Sequence, residues 1–185
     1  MKNLLKFLGI VVLVSAIGFS MSSCASSPPR GSEVSTLAPD ASSAVVYFLQ
    51  PSRMHGGGDI IIWDGENPVG KIPGGLYRNV AYRARPGTHY FLANRFNWSH
   101  VRVDVRANNT YYIRLNWAPN PVPFARNAFV ILEVMSQEDG LAQFNRNQRS
   151  IAFSDAWREE YKNSLSQAYL GQLNENIAAA RAARN

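Results

Sequence analysis

A small antiparallel β-sandwich followed by a C-terminal α-helix is the fold class this sequence predicts, and three observations predict it. Short runs of β-branched and aromatic residues recur between residues 43 and 136, separated by turn signals at regular spacing. Within one of them, residues 100–106, Val101, Val103 and Val105 alternate with His100, Arg102, Asp104 and Arg106, the pattern of a half-buried antiparallel strand with one wet face. After Ser136 the period changes: Trp157, Tyr161, Leu165, Tyr169, Leu173 and Ile177 recur every four residues, which lays one apolar stripe along a helix.

Before the sandwich comes a segment of another kind. Lys2 and Lys6 precede a charge-free run at residues 7–19 (FLGIVVLVSAIGF). A membrane-crossing helix needs roughly 20 apolar residues, so this run has the length of a secretory signal peptide instead. Met21-Ser22-Ser23-Cys24 then resembles a lipobox, with Met21 where Leu is usual. The expectation is a signal peptide over 1–23 and acylation of Cys24 by palmitate-type chains. Cys24 is the single cysteine of the chain, so once it is acylated no disulfide can form within the mature protein. Residues 24–42 are rich in Ser, Pro and Ala and read as a flexible tether, because so few apolar side chains cannot offset the entropy of ordering. Ala25 follows the cysteine where Asp is the inner-membrane retention signal, which resembles an outer-membrane address facing the periplasm.

Each later element has its own signal. Residues 44–49 (AVVYFL) form a strand ended by Pro51, and residues 60–63 (IIIW) another, closed by the tight-turn pair Asp64-Gly65. Residues 69–72 are the short return strand. Residues 76–84 form a strand in which Leu76, Val80, Tyr82 and Ala84 are apolar. Arg85-Pro86-Gly87 makes a turn whose third position favours glycine. A strand over 89–93 leads to the alternating run at 100–106. Asn108-Asn109 turns the chain, since Asn tolerates left-handed backbone. Tyr111, Ile113, Leu115 and Trp117 then alternate with Thr110, Tyr112, Arg114 and Asn116. A proline-rich loop (Pro119, Pro121, Pro123) precedes an apolar strand at 129–135. A short helix is expected over 137–145, with Ser136 and Glu138-Asp139 near its start, and Ser154-Asp155 caps a long one running to about residue 184. The units are therefore 1–23, 24–42, a sandwich over 43–136, and a helical segment over 137–185. The helix is expected to dock by its first half and to project, from Gly171 onward, toward a partner.

The order of these signals carries a resemblance. Residues 44–48 (AVVYF) and Pro51-Ser52-Arg53 are followed by Asp64-Gly65, Val69-Gly70-Lys71, Gly75-Leu76-Tyr77, residues 86–91 (PGTHYF) and residues 110–113 (TYYI). This rhythm is similar to a group of bacterial, often lipid-anchored domains known as domain of unknown function 2846, and to prealbumin-like and surface-anchored β modules. It covers residues 43–116 and implies a small β-sandwich; it implies no activity.

Chemistry is thinly signalled. There is no Gly-x-Ser-x-Gly elbow. His55 and Asp59 flank three glycines, too few ligands for a metal site, so no metal or cofactor is expected. His89 sits on the face of Phe91 and Ala93, where packing is its expected role. Arg102, Arg106, Tyr112 and Arg114 fall on the wet faces of two strands expected to pair, with Arg83 and Arg85 nearby; arginine forks suit phosphate and carboxylate. The chain has 19 basic and 13 acidic side chains. The modest excess and the envelope address argue against nucleic acid and for the membrane, an envelope protein or an anionic envelope polymer as partner. Two functions follow: a lipid-anchored, non-enzymatic binding module, or a hydrolase or transferase of cell-wall or glycan chemistry with a site in the loops around His55, Asp59 and residues 119–123. A pocket joining a histidine to a carboxylate points to the enzyme; separate, exposed histidines point to the module.

Overall fold

The computed structural model describes residues 31–34, 36–51, 58–73, 78–120 and 128–183. The expected signal peptide, Cys24, His55, Leu76, Pro121 and Pro123 lie outside them. The chain folds as a mainly β sandwich of two sheets, with helices on its outer faces and along one side. In chain order the strands are β1 (Ser32–Val34), β2 (Ala44–Leu49), β3 (Ile60–Asp64), β4 (Asn67–Ile72), β5 (Asn79–Ala84), β6 (Gly87–Asn94), β7 (Trp98–Val105), β8 (Thr110–Pro119), β9 (Ala128–Val134) and β10 (Ser150–Ala152). The helices are α1 (Gln137–Arg146), α2 (Asp155–Asn163) and α3 (Gln167–Ala182). The larger sheet has the order β1-β10-β5-β2-β8-β9 and the smaller β4-β3-β6-β7. Most neighbours are antiparallel; β2 with β8 and β5 with β10 run parallel.

The alternation read from sequence places the core. Val46 and Phe48 of β2, Ile60 and Ile62 of β3, Phe91 of β6, Val103 and Val105 of β7, and Ile113 and Leu115 of β8 meet between the sheets. The outward residues of the same strands are covered in turn. Tyr47 and Tyr112 lie beneath Phe144 of α1, and Ile61, Trp63 and Leu92 lie beneath Leu173 and Ile177 of α3. Turn residues act as their chemistry requires: Gly65 has φ 54°, Gly87 φ 144° and Asn108 φ 61°. Ser136 and Ser154 cap their helices, each side chain accepting a backbone N–H three residues on.

Three expectations need correction. The stretch 24–42 is not all tether: Ser32–Val34 pairs antiparallel with β10, Leu37 exchanges hydrogen bonds with the Tyr47 hydroxyl at 2.7 and 3.1 Å, and Asp40 pairs with Arg83 at 2.9 Å. A polar strand can order there because a partner strand supplies its hydrogen bonds. Conversely, the helical segment 137–185 supplies β10 to the sheet. Finally, the long helix is two. Ser164 Oγ donates to the Tyr161 carbonyl at 2.7 Å, and Ser166 Oγ accepts from the Tyr169 N–H at 3.2 Å. The bend lets α2 lie along β4 while α3 crosses the outer face of the smaller sheet. The second half does not project: Leu173, Ile177 and Ala180 are buried.

The margins of the sandwich are closed by different means. At β9 the Val130 N–H donates to Asn97 Oδ1 at 2.8 Å and the Leu132 N–H to Ser99 Oγ at 2.9 Å, so side chains from the other sheet occupy the edge strand's donors. At β4, Phe153 and Trp157 fill the opening; a Cβ on Gly70 would stand 2.6 Å from the Phe153 ring.

Candidate functional site

Among the described residues, a histidine, a carboxylate and a tyrosine converge inside the fold at the end of β3. Asp64 closes that strand before the Gly65 turn. His89 lies two residues along β6 from Phe91, the residue opposite Asp64 in the ladder. Tyr82 approaches from β5 of the other sheet. His89 Nδ1 is 2.7 Å from Asp64 Oδ2, and the Tyr82 hydroxyl donates to the same oxygen at 3.0 Å. The His89 and Asp64 side chains are 14% and 12% exposed, which makes this a shielded ion pair and not a surface one. The imidazole stacks on Phe91 at 5.5 Å, with ring planes 9° apart. Arg158 of α2 lies 5.2 Å over the Tyr82 ring.

The protonation state follows from the geometry. His89 Nε2 is 2.7 Å from the Arg85 carbonyl oxygen. A carbonyl and a carboxylate can only accept, so both ring nitrogens must donate and the ring is an imidazolium. Its pKa is raised, first by the hydrogen bond to Asp64 and against the pull of burial. Burial, and then the Asp64 charge, pushes the Tyr82 hydroxyl well above the ordinary phenol range.

This constellation has the parts of a catalytic dyad but not its disposition. In a nucleophilic triad the second ring nitrogen faces the attacking hydroxyl or thiol. Here that nitrogen faces a backbone carbonyl. The adjacent groove, about 220 Å³ and lined by Asn67, Pro68, Tyr82, Asp155, Arg158 and Glu159, includes neither His89 nor Asp64. The cluster ties the β3–β4 turn to the β5–β6 turn. Sequence reading gives His89 a packing role and misses this bond. The turn pairs Asp64-Gly65 and Pro86-Gly87 put both residues near strand ends, but only the β3–β6 register makes them neighbours.

The expected basic surface is not one surface. β7 and β8 do not pair; the Asn108-Asn109 turn is a corner between sheets, because β8 takes β2 and β9 as its neighbours. Arg102 lies on the smaller sheet and pairs with Asp104 at 3.3 Å. Arg106 follows β7, where its backbone N–H donates to the Tyr111 hydroxyl at 2.9 Å. Arg114 lies on the larger sheet, held by Glu133 at 2.6 Å. Tyr112 is 5% exposed, stacked on Tyr47 with ring centroids 5.9 Å apart. Its strand face is wet at Arg114 and covered by α1 at Tyr112, and alternation alone does not separate the two. Asp59 pairs with Lys71 at 3.1 Å, and His100 is exposed. Among the described residues no three His, Cys, Asp or Glu side chains converge as metal ligands would. Comparison with known proteins gives no match, either to a protein-family model or to a curated protein.

Proposed function

We propose that this chain is a lipid-anchored protein of the bacterial cell envelope, akin to the domain of unknown function 2846 group, whose sandwich serves as a non-enzymatic binding module on the periplasmic side of the outer membrane. The observation that carries the anchor is the charge-free run at 7–19, followed five residues on by the single cysteine, Cys24. The binding reading draws support from His89, whose two ring nitrogens face the Asp64 carboxylate and the Arg85 carbonyl and not a hydroxyl or thiol nucleophile. The partner is another envelope protein or an anionic envelope polymer.

The test is Cys24→Ser in the native host. Loss of labelled fatty acid from the protein and release from the membrane fraction are expected; retained label and membrane residence would overturn the anchor. The alternative, a hydrolase or transferase of cell-wall or glycan chemistry, has the His89–Asp64 contact in its favour. Turnover of peptidoglycan fragments by the purified protein that His89→Gln abolishes would decide for it.

A further inference from the structure

We infer that the outer edge of β7 binds the same edge of a second copy of this chain, joining two of the smaller sheets into one antiparallel sheet. Each sheet of the sandwich has two edges, and three of the four are short or covered. β1 has three residues, β4 is backed by Phe153 and Trp157, and the Val130 and Leu132 N–H groups of β9 are taken by Asn97 and Ser99. The fourth is β7, eight residues long and last in the order β4-β3-β6-β7.

The ladder shows which backbone groups of β7 face outward. The Gly65 N–H donates to the Tyr90 carbonyl at 3.0 Å, so Tyr90 turns its bonding groups toward β3. Successive residues alternate, so His89 and Phe91 turn theirs toward β7, where they meet Val103 and Val101. His100, Arg102 and Asp104 therefore present N–H and C=O to the open side. The Arg106 N–H has the same parity, and the Tyr111 hydroxyl accepts it there at 2.9 Å. Among the described residues, no hydrogen bond occupies the outward backbone groups of His100, Arg102 or Asp104. Another extended backbone is the chemistry that satisfies such a row.

The side chains select a second copy and its register. Outward groups pair with outward groups, so a two-fold pairing over the middle of the strand centres on residue 101, 102, 103 or 104. Centred at 101, His100 opposes Arg102. Centred at 102 or 104, Arg102 or Asp104 opposes itself. Centred at 103, Arg102 of each copy opposes Asp104 of the other, and Val103 meets its own counterpart on the inner face. The ends then place His100 opposite Arg106, outside the two central ion pairs. Arg102 already lies 3.3 Å from Asp104 of its own strand, and Asp104 is 65% exposed. Pairing thus closes four charges into an alternating square and breaks no existing ion pair. Beside His100, a groove of about 420 Å³ bordered by Val134, Ala180 and Ala183 leaves space for the copy's chain to pass α3. The interface is small, so the dimer is weak and reversible.

The first experiment co-expresses two differently tagged full-length copies, one Arg102→Cys and the other Asp104→Cys, under mild oxidation. Opposed residues of a hydrogen-bonded pair stand about 5.5 Å apart at Cα, within disulfide reach. Residue 102 and its own counterpart lie on the diagonal, roughly 7–8 Å apart, which is beyond it. The mixed disulfide is expected at least about fivefold above that from two Arg102→Cys copies, with the unsubstituted chain as the baseline. Equal trapping in the two pairings, or none above the baseline, overturns the register. The second experiment is sedimentation equilibrium of the purified full chain in a density-matched detergent. Arg102→Asp is expected to weaken self-association at least about tenfold, and Arg102→Asp with Asp104→Arg to restore it to within about threefold. A chain that stays monomeric to about 0.2 mM, or a double variant as weak as the single one, overturns the self-association.

Discussion

Two acceptor oxygens, each 2.7 Å from a nitrogen of His89, couple the charge of one side chain to folding. The pKa is raised in the folded protein above the ordinary 6.5, with the Asp64 hydrogen bond the first cause. A raised pKa means that folding takes up a proton between the unfolded and folded values. The stabilisation is thus complete below about pH 6.5 and is lost as pH rises through the folded pKa. Urea midpoints are expected to fall as pH is raised from about 6 to about 9, with His89→Gln flattening that slope. A slope unchanged in the variant would show that another group sets it. The core makes a second prediction at this scale. Ile113 is fully buried between the sheets, and Ile113→Ala is expected to cost about 2–5 kcal/mol. Arg102, 39% exposed and paired with its own strand neighbour, should change stability by no more than about 0.5 kcal/mol on conversion to Ala. Equal melting shifts for the two would reverse the assignment of faces. Such faces are legible in the sequence because strand side chains alternate strictly. The His89–Asp64 bond is not, because two strands 25 positions apart must first find their register.

At the scale of the element, the helices are lids on sheets. α1 lies so close to β8 that a Cβ on Gly140 would overlap the Tyr112 ring. Gly140→Ala is therefore expected to lower stability by about 1–3 kcal/mol despite the better helix propensity of Ala, with thermal melting as the readout. α3 covers Ile61, Trp63 and Leu92 with Leu173 and Ile177. Deleting residues 167–185 would expose that apolar face, and a large drop in melting temperature or aggregation is expected; Leu173→Ala alone should cost about 2–5 kcal/mol. A deletion that melts like the full chain would return α3 to the role of a projecting arm. The four-residue stripe predicts the contacts of these helices well, since its residues all pack inward. It does not reveal the bend at 164–166, where Trp63 meets Tyr161 at 5.9 Å and Tyr169 at 6.0 Å from either side of the elbow.

Across the whole molecule the sandwich protects its margins: β1 is three residues long, β4 is backed by α2, and β9 has its donors taken by Asn97 and Ser99. The same arrangement divides the basic residues. Arg102 and Arg114 stand on different sheets, each already paired with an acid. Their effects on retention by an anionic polymer are therefore expected to be small and additive for Arg102→Gln and Arg114→Gln, as for independent sites. A cooperative loss in the double variant, with steep salt dependence, would restore a single basic surface.

The sequence by itself determined which strand residues face the space between the sheets, the turns at Gly65, Gly87 and Asn108, the serine cap of α2 and the apolar stripe of the C-terminal helices. All of these rest on periodicities or backbone preferences that act over a few residues. Tertiary structure alone decided that β8 lies beside β2, that β1 takes β10 as its partner, and that Asp64, Tyr82 and His89 meet. Those pairings depend on which distant strand each one meets, which no local periodicity encodes. Local pattern sets which side of a strand is wet; only packing sets what covers it, as Tyr112 beneath α1 and Arg114 beside Glu133 on one strand face demonstrate.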